Sequence, residues 1–166
     1  MHPLQIPDWP HPVSSLGNAD LLSRHKTAFL CSRTYPAGVV LRIYDWAKDM
    51  RESGECVLSG FHSVLERDVL DVLLRGTQPI ILAAARGLPK RYPDDVKQAI
   101  DSGRLLVISP FPESVRRITA DTACQRNRMM LTIADNIVIG HMSRDGVLAE
   151  ALSTVDRHKA IVRLTD

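Results

Sequence analysis

The sequence predicts an α/β domain built on a Rossmann-like, doubly wound, mainly parallel sheet of five to six strands with helices on both faces. Three observations predict it. From about residue 26 onward, short apolar runs alternate with amphipathic stretches of helical spacing. The apolar runs are continuous rather than in–out alternations, which is the pattern of strands covered on both faces. The chain's 166 residues can bury one sizeable core, but fall well short of the ~250 of an eight-fold β/α barrel.

Residues 1–25 read as a proline-rich arm, because Pro3, Pro7, Pro10 and Pro12 exclude a helix and leave an extended segment laid on the domain or loose. Residues 26–166 hold the domain. TAFLCS (27–32) is a buried strand. Residues 36–53 start at Pro36, carry Val39, Val40, Ile43, Trp46, Ala47 and Met50 at helical spacing, and stop at Gly54. ECVLSG (55–60) is the second strand, and residues 63–75 place Leu65, Val69, Val72 and Leu73 on one helical side before Gly76. PIILAAA (79–85) is the third strand, followed by a short helix over 93–102 that Gly103 stops. RLLVISP (104–110), a long helix over 119–134 and NIVIGHM (136–142) come next. Residues 147–157 read as helical, and AIVRLT (160–165) as a sixth strand at an edge.

Composition narrows the function. With 45% apolar and 24% charged residues, a disordered chain and a coiled coil are excluded. Lysine and arginine number 21 against 19 acids, a net charge of +2, so any basic site must be local. No apolar run approaches the ~20 residues of a membrane helix, and the N-terminus lacks the pattern of a secretory signal. Cys31, Cys56 and Cys124 are odd in number and widely spaced, which fits a reducing cytoplasm and neither a disulfide framework nor a structural zinc site.

In open parallel sheets, ligands bind outside the carboxyl ends of the strands, where strand order reverses. Those ends read Cys31-Ser32-Arg33, Ser59-Gly60-Phe61-His62, Arg86-Gly87, Ser109-Pro110-Phe111 and Gly140-His141, the last followed by Ser143-Arg144-Asp145-Gly146. Small, glycine and cationic residues gathered at one edge bring backbone amides and guanidinium groups to a phosphate or carboxylate. His62 and His141 read as polar lining rather than metal ligands, since no third ligand has recognisable spacing. Cys31 reads as a small buried hydrophobe. Arg126 and Arg128 flank Asn127, and at helical positions i and i+2 they point to different sides. There is no GxGxxG after the first strand, no GxxxxGK[ST] and no GxSxG. Dinucleotide oxidoreductases, P-loop ATPases and α/β-hydrolases are therefore unsupported, and nothing calls for a cofactor or a metal.

The same residues resemble the DNA-processing protein A family (DprA, also called Smf). Ser59 and Gly60 match its SGxAxGID strand end, with Leu65-Glu66 for Ile-Asp and Val64 where that family has glycine. Cys31-Ser32-Arg33 looks like its G-[ST]-R. Gly87-Leu88 with Tyr92-Pro93, Phe111-Pro112, Arg126-Asn127-Arg128, Ala134-Asp135 and Asp145-Gly146-Val147-Leu148 follow in the family's order, across residues 27–151. The LOG-type nucleotide-processing enzymes have a similar fold. Of their G-T-x-x-E motif the chain keeps Gly146 and Glu150 but not the threonine.

The first resemblance implies a non-catalytic module that binds single-stranded DNA or a nucleotide phosphate, loads a recombinase in full family members, and uses Ser32, Arg33, Ser59, Gly60, Arg126, Asn127, Arg128 and Gly146; His62 joins these binding candidates from its place at a strand end. Arg33 would pair with phosphate, and Arg126 or Arg128 would close the pocket. Phe61, Phe111 and Tyr35 are the aromatic candidates near the edge. The second implies a phosphoribohydrolase that cleaves the N-glycosidic bond of a nucleoside monophosphate, with Glu150 as its catalytic residue. A small-nucleotide sensor without chemistry is the third alternative. A homodimer through the last strand or the 63–75 helix is expected.

Overall fold

The structure, a computed structural model, describes residues 2–165. Eight strands form one sheet: β1 (His2–Leu4), β2 (Val13–Gly17), β3 (Lys26–Leu30), β4 (Cys56–Ser59), β5 (Ile80–Ala83), β6 (Leu105–Ser109), β7 (Asn136–Ile139) and β8 (Ala160–Arg163). Five helices connect or cover them: α1 (Val39–Ser53), α2 (Val64–Leu74), α3 (Asp94–Asp101), α4 (Ala120–Ile133) and α5 (Val147–Leu152). The spatial order is β1-β2-β6-β5-β4-β3-β7-β8. β3 to β8 are parallel to their neighbours, and only the β1–β2 and β2–β6 pairs are antiparallel.

All six strands read from residue 26 onward are present. The arm adds two more. β2 pairs with β6, and β1 pairs with β2, so the N-terminal segment extends the sheet. Ile6 and Val13 lie in the same core cluster as Ala28 and Ile81. The strand order runs outward from β3 through β4, β5 and β6, then returns to β7 on the other side of β3. The switch point is therefore the β3–β7 pair, in register from Thr27 opposite Asn136 to Leu30 opposite Ile139.

Two apolar layers flank the sheet. One packs Val39, Ile43, Leu65, Val69, Val96 and Ala99 of α1, α2 and α3 on Phe29, Val57 and Val107. The other packs Met129, Met130, Leu148 and Ala151 of α4 and α5 on Ala28, Leu58 and Ile139. Helix α1 ends at Gly54, whose φ of 76° needs a residue without Cβ. It begins at Val39 rather than Pro36; residues 36–38 form the turn before it. Helix α5 stops at Leu152, five residues short of the sequence reading. Ser153 and Thr154 turn their hydroxyls onto the Glu150 and Ala151 carbonyls at the helix end.

Candidate functional site

A cleft of about 330 Å³ opens at the carboxyl edge beside the switch point. The segment after β3 supplies Ser32 and Arg33, and the β4–α2 turn supplies His62 and Ser63. One face of α4 supplies Thr119, Ala123, Arg126 and Asn127, and the start of α5 supplies Gly146 and Val147. Residues 119, 123, 126 and 127 follow helical spacing, which puts Arg126 in the cleft and turns Arg128 away.

Arg126 forms the floor. It is 5% exposed, and burial pulls its pKa down while nearby Glu66 pulls it up. Its Nε donates to Asn127 Oδ1 at 2.8 Å, and its Nη1 donates to the Ala83 carbonyl at 3.1 Å. Gly60 makes the room: a Cβ there would lie 1.9 Å from Arg126 Nη1.

Glu66 fastens the walls. Oε1 accepts the Cys31 N–H at 3.1 Å, and Oε2 accepts the N–H groups of His62 at 2.9 Å and Ser63 at 3.2 Å. The Ser63 hydroxyl in return accepts the Glu66 N–H, closing a capping box on α2. On the other wall, Ser32 N–H donates to the His141 carbonyl at 2.9 Å, and Ser32 Oγ accepts the Ser143 N–H at 3.0 Å. These two sets of bonds hold the loops after β3, β4 and β7 in one arrangement.

Exposed Arg33 stands at the mouth, its Nη2 3.3 Å from His62 Nε2. Partial burial, then Arg126 and Arg33, push the His62 pKa below its usual 6.5. The unfolded chain therefore takes up this proton first as pH falls. The His62 contribution to stability is present above about pH 6.5 and is lost as pH falls through the folded value.

Of the residues read from sequence, Ser32, Arg33, His62, Arg126, Asn127 and Gly146 line the cleft. Ser59 does not reach it. Its buried hydroxyl accepts the Phe61 N–H at 3.3 Å and so supports a turn in which Phe61 has a φ of 46°. Gly60 lies behind the Arg126 guanidinium rather than along the cleft lining. Arg128 pairs with Glu150 at 3.1 Å and lines a separate hollow with Asp8 and Asp156. Asn127 accepts the Arg126 Nε–H through its side-chain oxygen. His141 lines a different hollow from His62, beside Val39 and Met142. Burial raises the Cys31 thiol to about 11, which suits a packing residue and not a nucleophile. Among the described residues no group of three His, Cys, Asp or Glu side chains is placed to hold a metal ion.

The family model for DNA recombination-mediator protein A matches residues 2–166. The chain belongs to that family. No curated protein matches it by sequence. Among solved structures, DNA processing protein A from Helicobacter pylori, described for its single-stranded DNA binding mode, is similar with a TM-score of 0.71 and 16% identity, over 92% of this chain and 74% of that one. DNA processing protein A from Streptococcus pneumoniae is similar with a TM-score of 0.73 and 18% identity, over 95% of this chain and 56% of that one. The molybdenum cofactor binding protein from Rippkaea orientalis has a TM-score of 0.58 at 11% identity, over 84% of this chain and 76% of that one. These likenesses establish a shared fold. The family match covers the N-terminal segment as well as the sheet behind it. Among the described residues, no helix of this family member is long and apolar enough to cross a membrane.

Glu66 enters the sequence reading only as the match to the family's Asp, with no role at the site. Its signal was available: Ser63-Val64-Leu65-Glu66 is an S-x-x-E capping box directly after a strand.

Proposed function

We propose that the chain is a non-catalytic DNA-processing module that seats a phosphate of single-stranded DNA in the cleft over Arg126. The observation that carries this reading is the desolvated guanidinium on the cleft floor, with Arg33 and His62 at the mouth and the walls pre-set by backbone hydrogen bonds. Glu66 is the carboxylate within the cleft lining, and backbone N–H groups occupy both of its oxygens. Glu150 sits in an exposed ion pair outside the cleft, which favours binding over N-glycosidic hydrolysis.

The neighbouring loops extend the same logic. Arg86, Lys90, Arg91, Arg116 and Arg117 are exposed in the segments after β5 and β6, and none is in an ion pair with a described residue. The two segments are tied together by Gly87 N–H to the Val115 carbonyl at 2.8 Å and by Ser109 Oγ to the Arg86 carbonyl at 2.6 Å. Five cations and the single carboxylate of Glu113 outweigh the whole chain's net charge of +2. The basic site is local, as a near-neutral chain requires of a phosphate binder.

Titration into labelled oligo-dT tests this. Binding should weaken steeply with salt, and Arg33→Ala should cost about tenfold and flatten the log–log salt slope by about 0.7. Absence of binding at low salt, or release of free base from a nucleoside monophosphate, overturns the reading. Binding also depends on pH with a fixed sign. A phosphate beside His62 offsets the repulsion from Arg33 and Arg126 and favours its protonated form. Affinity should therefore rise as pH is lowered past 6.5 toward the depressed His62 value of the free chain, and His62→Gln should flatten that profile. An unchanged profile in the variant would remove His62 from the site.

A further inference from the structure

A second hollow opens between the segments that follow β5 and β6. Its volume of about 600 Å³ exceeds that of the cleft and is typical of a small-molecule site. The two share no lining residue. Arg86, Lys90 and Arg91 enter the hollow from the first segment, and Glu113, Ser114 and Arg116 from the second. Four cations and one carboxylate line it, a surplus of three positive charges in a chain whose net charge is +2. All four cations are exposed, and none makes a side-chain hydrogen bond or an ion pair with a described residue. Like charges held around one hollow repel, and Glu113 offsets only one of them.

The two segments are not free to move apart and relieve that repulsion. Gly87 N–H donates to the Val115 carbonyl at 2.8 Å, and Ser109 Oγ donates to the Arg86 carbonyl at 2.6 Å. A Cβ at Gly87 would lie 2.6 Å from the Pro112 carbonyl oxygen, so glycine is what lets the segments touch. The hollow is preset with its charges unpaired, and a bound anion would satisfy them at little cost in ordering.

Charge density identifies the anion. A DNA strand brings one charge per nucleotide, spread along its backbone. A terminal phosphate brings about two at one point, and each phosphate linked to it adds another close by. The second pattern matches three surplus charges around one hollow. A base has nothing to stack on there. No aromatic side chain lines the hollow, Tyr92 packs against the core, and Phe111 is 8% exposed.

We propose that this hollow is a second site, beyond the phosphate cleft over Arg126, and that it takes a short chain of linked phosphates, either inorganic or carried by a nucleoside.

Calorimetric titration without magnesium tests it with three probes: inorganic triphosphate, a nucleoside triphosphate and a nucleoside monophosphate. Inorganic triphosphate should bind about tenfold or more tighter than the monophosphate. The nucleoside triphosphate should match it within about threefold, because the hollow holds phosphates and not the base. Arg86→Ala and Arg116→Ala, one from each segment, should each weaken triphosphate binding by about tenfold. Both side chains are exposed and unbonded, so the free variants should melt at or above the wild-type temperature. Arg33→Ala, in the cleft, should leave triphosphate binding within about twofold of wild type. Equal affinity for triphosphate and monophosphate overturns the proposal. So does triphosphate binding that survives in the Arg86→Ala, Arg116→Ala double variant or is lost in Arg33→Ala, which would place the group in the cleft. A nucleoside triphosphate that binds about tenfold tighter than inorganic triphosphate also overturns it, because the base would then be held. Failure of all three probes to bind overturns the second site and leaves the cleft to stand or fall on the oligo-dT titration.

Discussion

Glu66→Ala should be the most damaging single substitution in the site, lowering stability by roughly 1–3 kcal/mol for each buried donor it leaves unpaired. Three donors depend on this carboxylate: the N–H groups of Cys31, His62 and Ser63. Glu66 is 7% exposed, and Cys31 and Ser63 are buried too, so water cannot readily replace the lost acceptor. The loss reaches further, because Glu66 also offsets the charge of buried Arg126. Glu66→Gln should fall in between. Its single carbonyl oxygen can still accept from His62 and Ser63, but its NH₂ would face the Cys31 N–H. Denaturant unfolding measures both effects, and oligo-dT binding should fall with stability because the loops carrying Arg33 and His62 lose their common anchor. A Glu66→Ala chain as stable as wild type would show that packing and the Ser32 bonds hold the loops without this carboxylate.

The parts of the fold that were legible in the sequence are those where local pattern and tertiary role agree. β3 to β7 are continuous apolar runs because helices cover both faces, and each run was readable for that reason. β1 and β2 were missed because their pattern is mixed. In Val13-Ser14-Ser15-Leu16-Gly17, Ser15 is 3% exposed and satisfies its hydroxyl on the His2 carbonyl at 2.9 Å, so a polar residue occupies a core position. The prolines that exclude a helix do not exclude a strand: Pro3 lies in edge strand β1, where a missing N–H is tolerated, and Pro7, Pro10 and Pro12 lie in the connection to β2. The site was half legible for a similar reason. Residue type located the cationic edge, but only helix phase separates Arg126, under the cleft, from Arg128, which pairs with Glu150. Gly60 read as a place where the backbone approaches a ligand. The structure gives it a different task, leaving space for a guanidinium.

That space yields the second large effect. Arg126→Lys keeps the charge but replaces a planar fork by a point charge on a flexible stem. It should lose the paired bonds to Ala83 and Asn127 and reduce oligo-dT affinity by about tenfold or more. Arg126→Ala should do more, because it also opens a cavity beside Gly60 and leaves Glu66 without its nearby cation, for a stability loss of about 2–5 kcal/mol. Gly60→Ala attacks the same contact from the other side. Its methyl group would meet Nη1 at 1.9 Å and Cζ at 2.4 Å, so the guanidinium must be displaced toward the cleft. The displaced group loses its Ala83 bond, and overpacking of this kind costs about 1–3 kcal/mol. If Arg126 binds phosphate from a fixed position, Gly60→Ala and Arg126→Lys should weaken oligo-dT binding to a similar extent, and the double variant should be little worse than either. Full additivity of the two would mean that Gly60 acts on the strand independently of Arg126. Wild-type binding in Gly60→Ala would mean that the guanidinium works from more than one position.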